Sequence, residues 1–70
     1  MLIDEVWIIE AIRNGIVTYK ETYTTEAEAK KSFALLCNND RFTNDLDSIE
    51  FYHQLPNTGE ILERKVRSFR

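Results

Sequence analysis

The residue pattern predicts an α+β domain of β-β-α-β-β form, with four antiparallel strands in the order 2-1-3-4 and one helix on one face. Three observations predict it. Residues 24–38 carry the one long helical pattern. The segments on either side each read as strand, turn, strand. The first strand is apolar on both faces, which suits the inside of a sheet better than its edge.

Residues 2–12 (LIDEVWIIEAI) are rich in β-branched and aromatic side chains and form the first expected strand. Arg13, Asn14 and Gly15 turn the chain, and residues 16–23 (IVTYKETY) return. A two-residue loop would set Ile12 opposite Val17, but also Glu10 opposite Tyr19 and Ile8 opposite Glu21. A three-residue loop sets Ala11 opposite Val17 and Ile9 opposite Tyr19. It gathers Trp7, Ile9, Ala11, Val17, Tyr19 and Tyr23 on one face, with Glu21 opposite Trp7 as the exception. A slip of one residue would divide that set, so the three-residue loop with a bulge is the expectation. The opposite face then carries Val6, Ile8, Ile12 and Ile16 beside Thr18, Lys20 and Thr22.

The helix at 24–38 has its own start signal. Thr25 and Glu28 have the spacing at which a hydroxyl caps the backbone three residues on. Acids come first (Glu26, Glu28) and bases follow (Lys30, Lys31), as the helix dipole favours. Glu26 and Lys30 form an i,i+4 pair worth roughly 0.2–0.5 kcal/mol. Ala27, Ala29 and Ala34 raise helix propensity, and Asn38 and Asn39 suit its end. Ala29, Phe33, Leu36 and Cys37 share one narrow face, which suits close approach to a sheet. Leu35 points away from it.

Residues 39–47 (NDRFTNDLD) read as a polar loop with Phe42 and Leu46 tucked under it. Asp45, Asp47 and Glu50 lack the glycine and the ligand series of a calcium loop. Residues 48–55 (SIEFYHQL) alternate as a strand, 56–59 (PNTG) turn, and 60–69 (EILERKVRSF) form the last strand. A four-residue loop pairs Leu55 with Glu60 and His53 with Leu62. Ile49, Phe51, Leu55, Leu62 and Val66 then face the helix with His53 and Arg64. Tyr52, Ile61, Glu63, Lys65 and Arg67 face away.

The chain is one domain, residues 1–70. A chain this short buries only about 60% of the surface it exposes when unfolded, so small domains often add disulfides, metal or a partner. Cys37 is the single cysteine and His53 the single histidine, which excludes an internal disulfide and is too few for a usual zinc site. Association is the remaining device. A net charge of −3 with 30% charged residues gives no general polyanion-binding signal. No basic leader or spanning apolar run is present, and one unpaired thiol suits a reducing compartment, so the expectation is a cytoplasmic protein without membrane contact.

Chemistry-bearing patterns are sparse. His53 has Leu62, Phe51 and Leu55 as expected neighbours, which suits a structural imidazole. Cys37 lies at the helix C-terminal end, where the dipole disfavours thiolate, so it reads as a small core residue. Gly15 and Gly59 each serve a turn, leaving no phosphate loop. No catalytic residue, cofactor or metal is expected, and the chain reads as non-enzymatic. The helix-free apolar face formed by Val6, Ile8, Ile12, Ile16, Ile61 and Tyr52 is the candidate partner-binding surface. A two-fold pair could bury it face to face, giving a homodimer. Another protein is the second candidate occupant, and local cover by the 39–47 loop is the ordinary alternative. Size and style suggest the accessory or inhibitory proteins of bacteria and their phages. A second function class is single-stranded nucleic-acid binding, with Tyr52 stacking beside Lys65, Arg67 and Arg70.

Overall fold

A computed structural model of the chain describes residues 5–69. The expected start of the first strand and Arg70 lie outside them. The elements are β1 (Val6–Arg13), β2 (Ile16–Tyr23), α1 (Glu26–Cys37), α2 (Asp40–Thr43), β3 (Ser48–Gln54) and β4 (Ile61–Ser68). The four strands form one sheet in the order β2-β1-β3-β4, every neighbouring pair antiparallel. The expected architecture and strand order are those observed, with the short α2 as an addition.

The helix starts where its cap places it. Thr25 is extended and its hydroxyl oxygen accepts from the Glu28 N–H at 3.4 Å. Asn38 closes it, donating from backbone and side chain to the Ala34 carbonyl. Glu26 and Lys30 pair at 2.5 Å with both side chains half exposed, a contact of little stability value. In the 39–47 segment, the Asn39 side-chain oxygen accepts from the Arg41 and Phe42 N–H groups and starts α2. The cap is legible, since Asn is a preferred N-cap, but a helix this short offers no periodicity to read.

The core lies between α1 and the sheet. Trp7, Ile9, Ala11, Ala29, Leu46, Ile49 and Phe51 are buried, with Tyr19, Tyr23, Phe33, Leu36, Cys37, Phe42 and Phe69 packed around them. Phe42 meets Tyr19 edge-on at 5.4 Å, so the 39–47 segment closes the helix side of the sheet. It does not cover the far side. Asp47 ties strand ends together: its N–H donates to Ile12 and its carbonyl accepts from Phe69.

Both hairpin registers differ from expectation, for the same reason. The first hairpin turns on two residues, Asn14 and Gly15, with φ of 53° and 77°. These positive angles are those of a type I′ turn, whose twist matches that of the strands. Arg13 therefore faces Ile16 and Ile12 faces Val17. The bulge falls further along, at Thr18, and restores the apolar row with Ala11 opposite Tyr19, Ile9 opposite Glu21 and Trp7 opposite Tyr23. Val17 consequently leaves the helix side.

In the second hairpin Leu55 and Glu60 do pair, the Leu55 N–H donating to the Glu60 carbonyl. A second bulge then leaves Leu62 as the extra residue, with Gln54 opposite Ile61 and His53 opposite Glu63 rather than Leu62. Every later residue of β4 changes face. Glu63, Lys65 and Arg67 lie on the helix side, and Leu62, Arg64 and Val66 lie on the other. A bulge adds one residue to one strand, and with a side-chain period of two that inverts the facing downstream.

Candidate interaction surface

The helix-free face is built from alternate residues of each strand. The centre carries Val6, Ile8, Glu10 and Ile12 from β1 and Ser48, Glu50, Tyr52 and Gln54 from β3. The expected apolar strip is interrupted here. Ile8 is only 6% exposed, flanked by Thr22 on β2 and Tyr52 on β3. Tyr52 reaches along β1 and donates its hydroxyl to the Glu10 carboxylate. Val6 and Ile12 are partly buried. Ile16 is 65% exposed but pairs with Arg13, outside the row of Ile8 and Ile12. The strip named from sequence is thus not one open apolar face: its middle is closed within the protomer.

Charge is also resolved locally. Glu10 and Glu50 sit directly opposite each other, an unfavourable cross-strand pair. Each has its own compensation. Glu10 faces Lys20 on β2 and accepts from Tyr52, while Glu50 accepts from Arg64 on β4. Burial and the Glu10 and Glu50 carboxylates push the Tyr52 phenol up to about 12, with burial the largest cause.

Both edge strands are open: β2, where Val17 is 47% exposed, and, along its whole length, β4. All its residues from Ile61 to Ser68 are exposed. The helix lies against β1 and β2 and reaches β3 where Phe33 meets Phe51 at 5.5 Å, leaving β4 uncovered. On the helix-free side, β4 shows Ile61 at 49%, Leu62 at 49% and Val66 at 55% exposure. Ile61 was expected on this face; Leu62 and Val66 were missed because the bulge at Leu62 has no signature in composition. β4 is also a sheet edge, with one row of backbone donors and acceptors facing outward.

The nucleic-acid set is not brought together. Tyr52 lies on the helix-free face, whereas Lys65 and Arg67 lie opposite Phe51 and Ile49 on the helix side. Arg70 is outside the described residues. A stacking ring flanked by cations therefore does not form from these residues, and the bulge at Leu62 is the cause.

His53 stacks on Trp7, ring centroids 4.5 Å apart and planes 9° from parallel, with its Nε2 at 3.0 Å from Glu5. The thiol of Cys37 is pushed up by burial, which Arg67 partly opposes, so it is a poor nucleophile. A cavity of about 220 Å³ lies between Lys30 and Phe33 of α1 and Phe51 and Lys65 of the sheet. It is below the roughly 300–1,000 Å³ of usual small-molecule sites. Among the described residues no His, Cys, Asp or Glu cluster has the makings of a metal site, and no helix is long and apolar enough to cross a membrane. Comparison with protein-family models, curated proteins and solved structures gives no match.

Proposed function

We propose that this chain is a protein–protein interaction module, acting by association rather than catalysis, and that its partner is a second copy of itself. It would serve as a small accessory or inhibitory protein. A reducing compartment, the cytoplasm, suits its single thiol. The supporting observation is β4, an edge strand exposed along its whole length that carries Ile61, Leu62 and Val66 on the helix-free face. Exposed apolar side chains grouped on one strand mark contact surfaces in soluble domains. The candidate surface thus moves from the centre of the sheet to its β4 margin, keeping Ile61 and Tyr52 and losing Ile8.

The test is sedimentation at micromolar concentration, expected to give a dimer. Val66→Lys is expected to dissociate it. Val66 is opposite Glu50, so the new ammonium gains a carboxylate neighbour and the fold is retained, as circular dichroism would verify. Val17→Lys, on the other edge, is expected to leave the dimer intact. A wild-type chain that remains monomeric at every concentration overturns the proposal, as does dissociation by the β2 variant alone.

A further inference from the structure

We propose, resting on the dimer reading above, that two copies join β4 to β4 antiparallel, with Arg64 on the two-fold axis, to give one continuous eight-stranded sheet. The backbone directions define the possibilities. The Phe69 N–H donates to the carbonyl of Asp47, just before β3, and at the other end the Leu55 N–H donates to Glu60, so by alternation Arg67, Lys65 and Glu63 turn their backbone groups inward. Arg64, Val66 and Ser68 turn theirs outward. Bonding requires outward groups to meet outward groups, so the axis passes through a residue, not between two. The choices are Glu63, Arg64, Lys65 and Val66.

Side-chain pairing separates them. With Glu63 on the axis, two carboxylates meet and Leu62 faces Arg64. With Lys65 on the axis, two ammonium groups meet and Glu63 faces Arg67 twice, but Leu62 faces Ser68 and Val66 faces Arg64, so no apolar pair forms. With Val66 on the axis, Lys65 faces Arg67 twice. With Arg64 on the axis, Glu63 faces Lys65 of the second copy twice, and Leu62 faces Val66 twice. Opposite-charge and apolar cross-strand pairs each stabilise a sheet. The cost is Arg64 facing itself, but each Arg64 guanidinium is already bonded to Glu50 of its own chain, away from the edge. Edge-strand charges ordinarily oppose pairing; here charge disfavours the registers centred on Glu63 and Val66, and the Leu62–Val66 apolar pairs favour Arg64 over Lys65.

The two-fold axis of this pairing is normal to the sheet. Both helices then lie on one face, and the Leu62 and Val66 side chains of both copies meet on the other. Leu62, Val66 and the open β4 edge are covered by a single contact.

Single cysteines test the register in a Cys37→Ala background. Arg64→Cys places two cysteines opposite each other at a Cα separation of about 5.5 Å, within disulfide range. It is expected to give at least about fivefold more covalent dimer on mild oxidation than Glu63→Cys, Lys65→Cys or Val66→Cys, whose copies are offset beyond the range of a disulfide. Independently, Glu63→Lys and Lys65→Glu should each weaken the dimer by roughly tenfold, and the two together should restore it. A dimer that cross-links best at position 63, 65 or 66, or whose double swap fails to restore it, overturns this register and leaves the dimer reading standing. A folded chain that neither cross-links nor sediments as a dimer overturns both.

Discussion

Tyr52 faces Ile8 across the β1–β3 ladder, yet its hydroxyl donates to Glu10, two residues further along β1. The ring therefore leans along the strand on the helix-free face, where Ile8 is buried. One side chain thus covers the middle of an otherwise apolar strip and gives one of the two facing carboxylates a hydrogen-bond donor. The helix cannot reach this face, and an aromatic residue with a polar tip is suited to cover it.

Burial of this phenol, and after it the bond to Glu10, makes the fold sensitive to alkali. The Tyr52 phenol is pushed up to about 12 from an ordinary value near 10. Between those values the unfolded chain loses the proton while the folded chain holds it. Stability is then complete below pH ~10, falls as pH rises, and the contribution is gone above ~12. Allowing for partial solvent screening, the loss is about 1–2 kcal/mol. Urea melts between pH 9 and 11.5 should show it, and Tyr52→Phe should flatten the slope. The phenolate absorbance of the three tyrosines should show one titrating last. A slope unchanged in Tyr52→Phe would refute the assignment.

Ile8→Glu is expected to unfold the chain, not to part a dimer. Truncating a buried isoleucine costs about 2–5 kcal/mol, and a carboxylate buried beside Glu10 costs more. Small domains have about 5 kcal/mol to lose. Circular dichroism should show a largely unfolded protein at 25 °C. A folded, monomeric Ile8→Glu chain would restore Ile8 to the contact surface.

The fold was readable because its signals are long or redundant. The Thr25 cap, the Ala29–Phe33–Leu36–Cys37 face and the two-sided apolarity of β1 each span several residues and agree. The two bulges were not readable. Thr18 and Leu62 are extra residues in strands whose composition suits either register, and position alone makes them bulges. The first costs little for interpretation, since the Trp7–Ile9–Ala11 row still faces the helix. The second decides the site, because it moves Val66 and Arg64 to the helix-free face and takes Lys65 and Arg67 from it. A reading by alternation fails downstream of any bulge it does not see.

Two phenylalanines that touch should differ in cost. Phe51 is 1% exposed in the core, so Phe51→Ala should cost the ~3–5 kcal/mol of a buried ring and unfold the domain. Phe33 rests on it from α1 but is partly open to solvent. Phe33→Ala should therefore fall below that range, at about 1.5–3 kcal/mol, and leave a folded chain with a lower urea midpoint. Equal losses would mean that the helix seals Phe33 as fully as the sheet seals Phe51.

The two hairpin glycines isolate a purely conformational cost. Gly15 and Gly59 have φ of 77° and 78°, and a Cβ built on either meets nothing within 4 Å. Alanine there suffers no clash, only the left-handed backbone, worth roughly 1–2 kcal/mol. The stiffer unfolded chain returns about 0.4–1 kcal/mol of it. Gly15→Ala and Gly59→Ala should thus each destabilise by about 1 kcal/mol and, being in separate hairpins, add in the double variant. Thermal melts of the three variants measure this. A much larger loss at Gly15 would show that its N–H contact to the Asp47 carboxylate, 3.4 Å away, anchors the first turn to the start of β3.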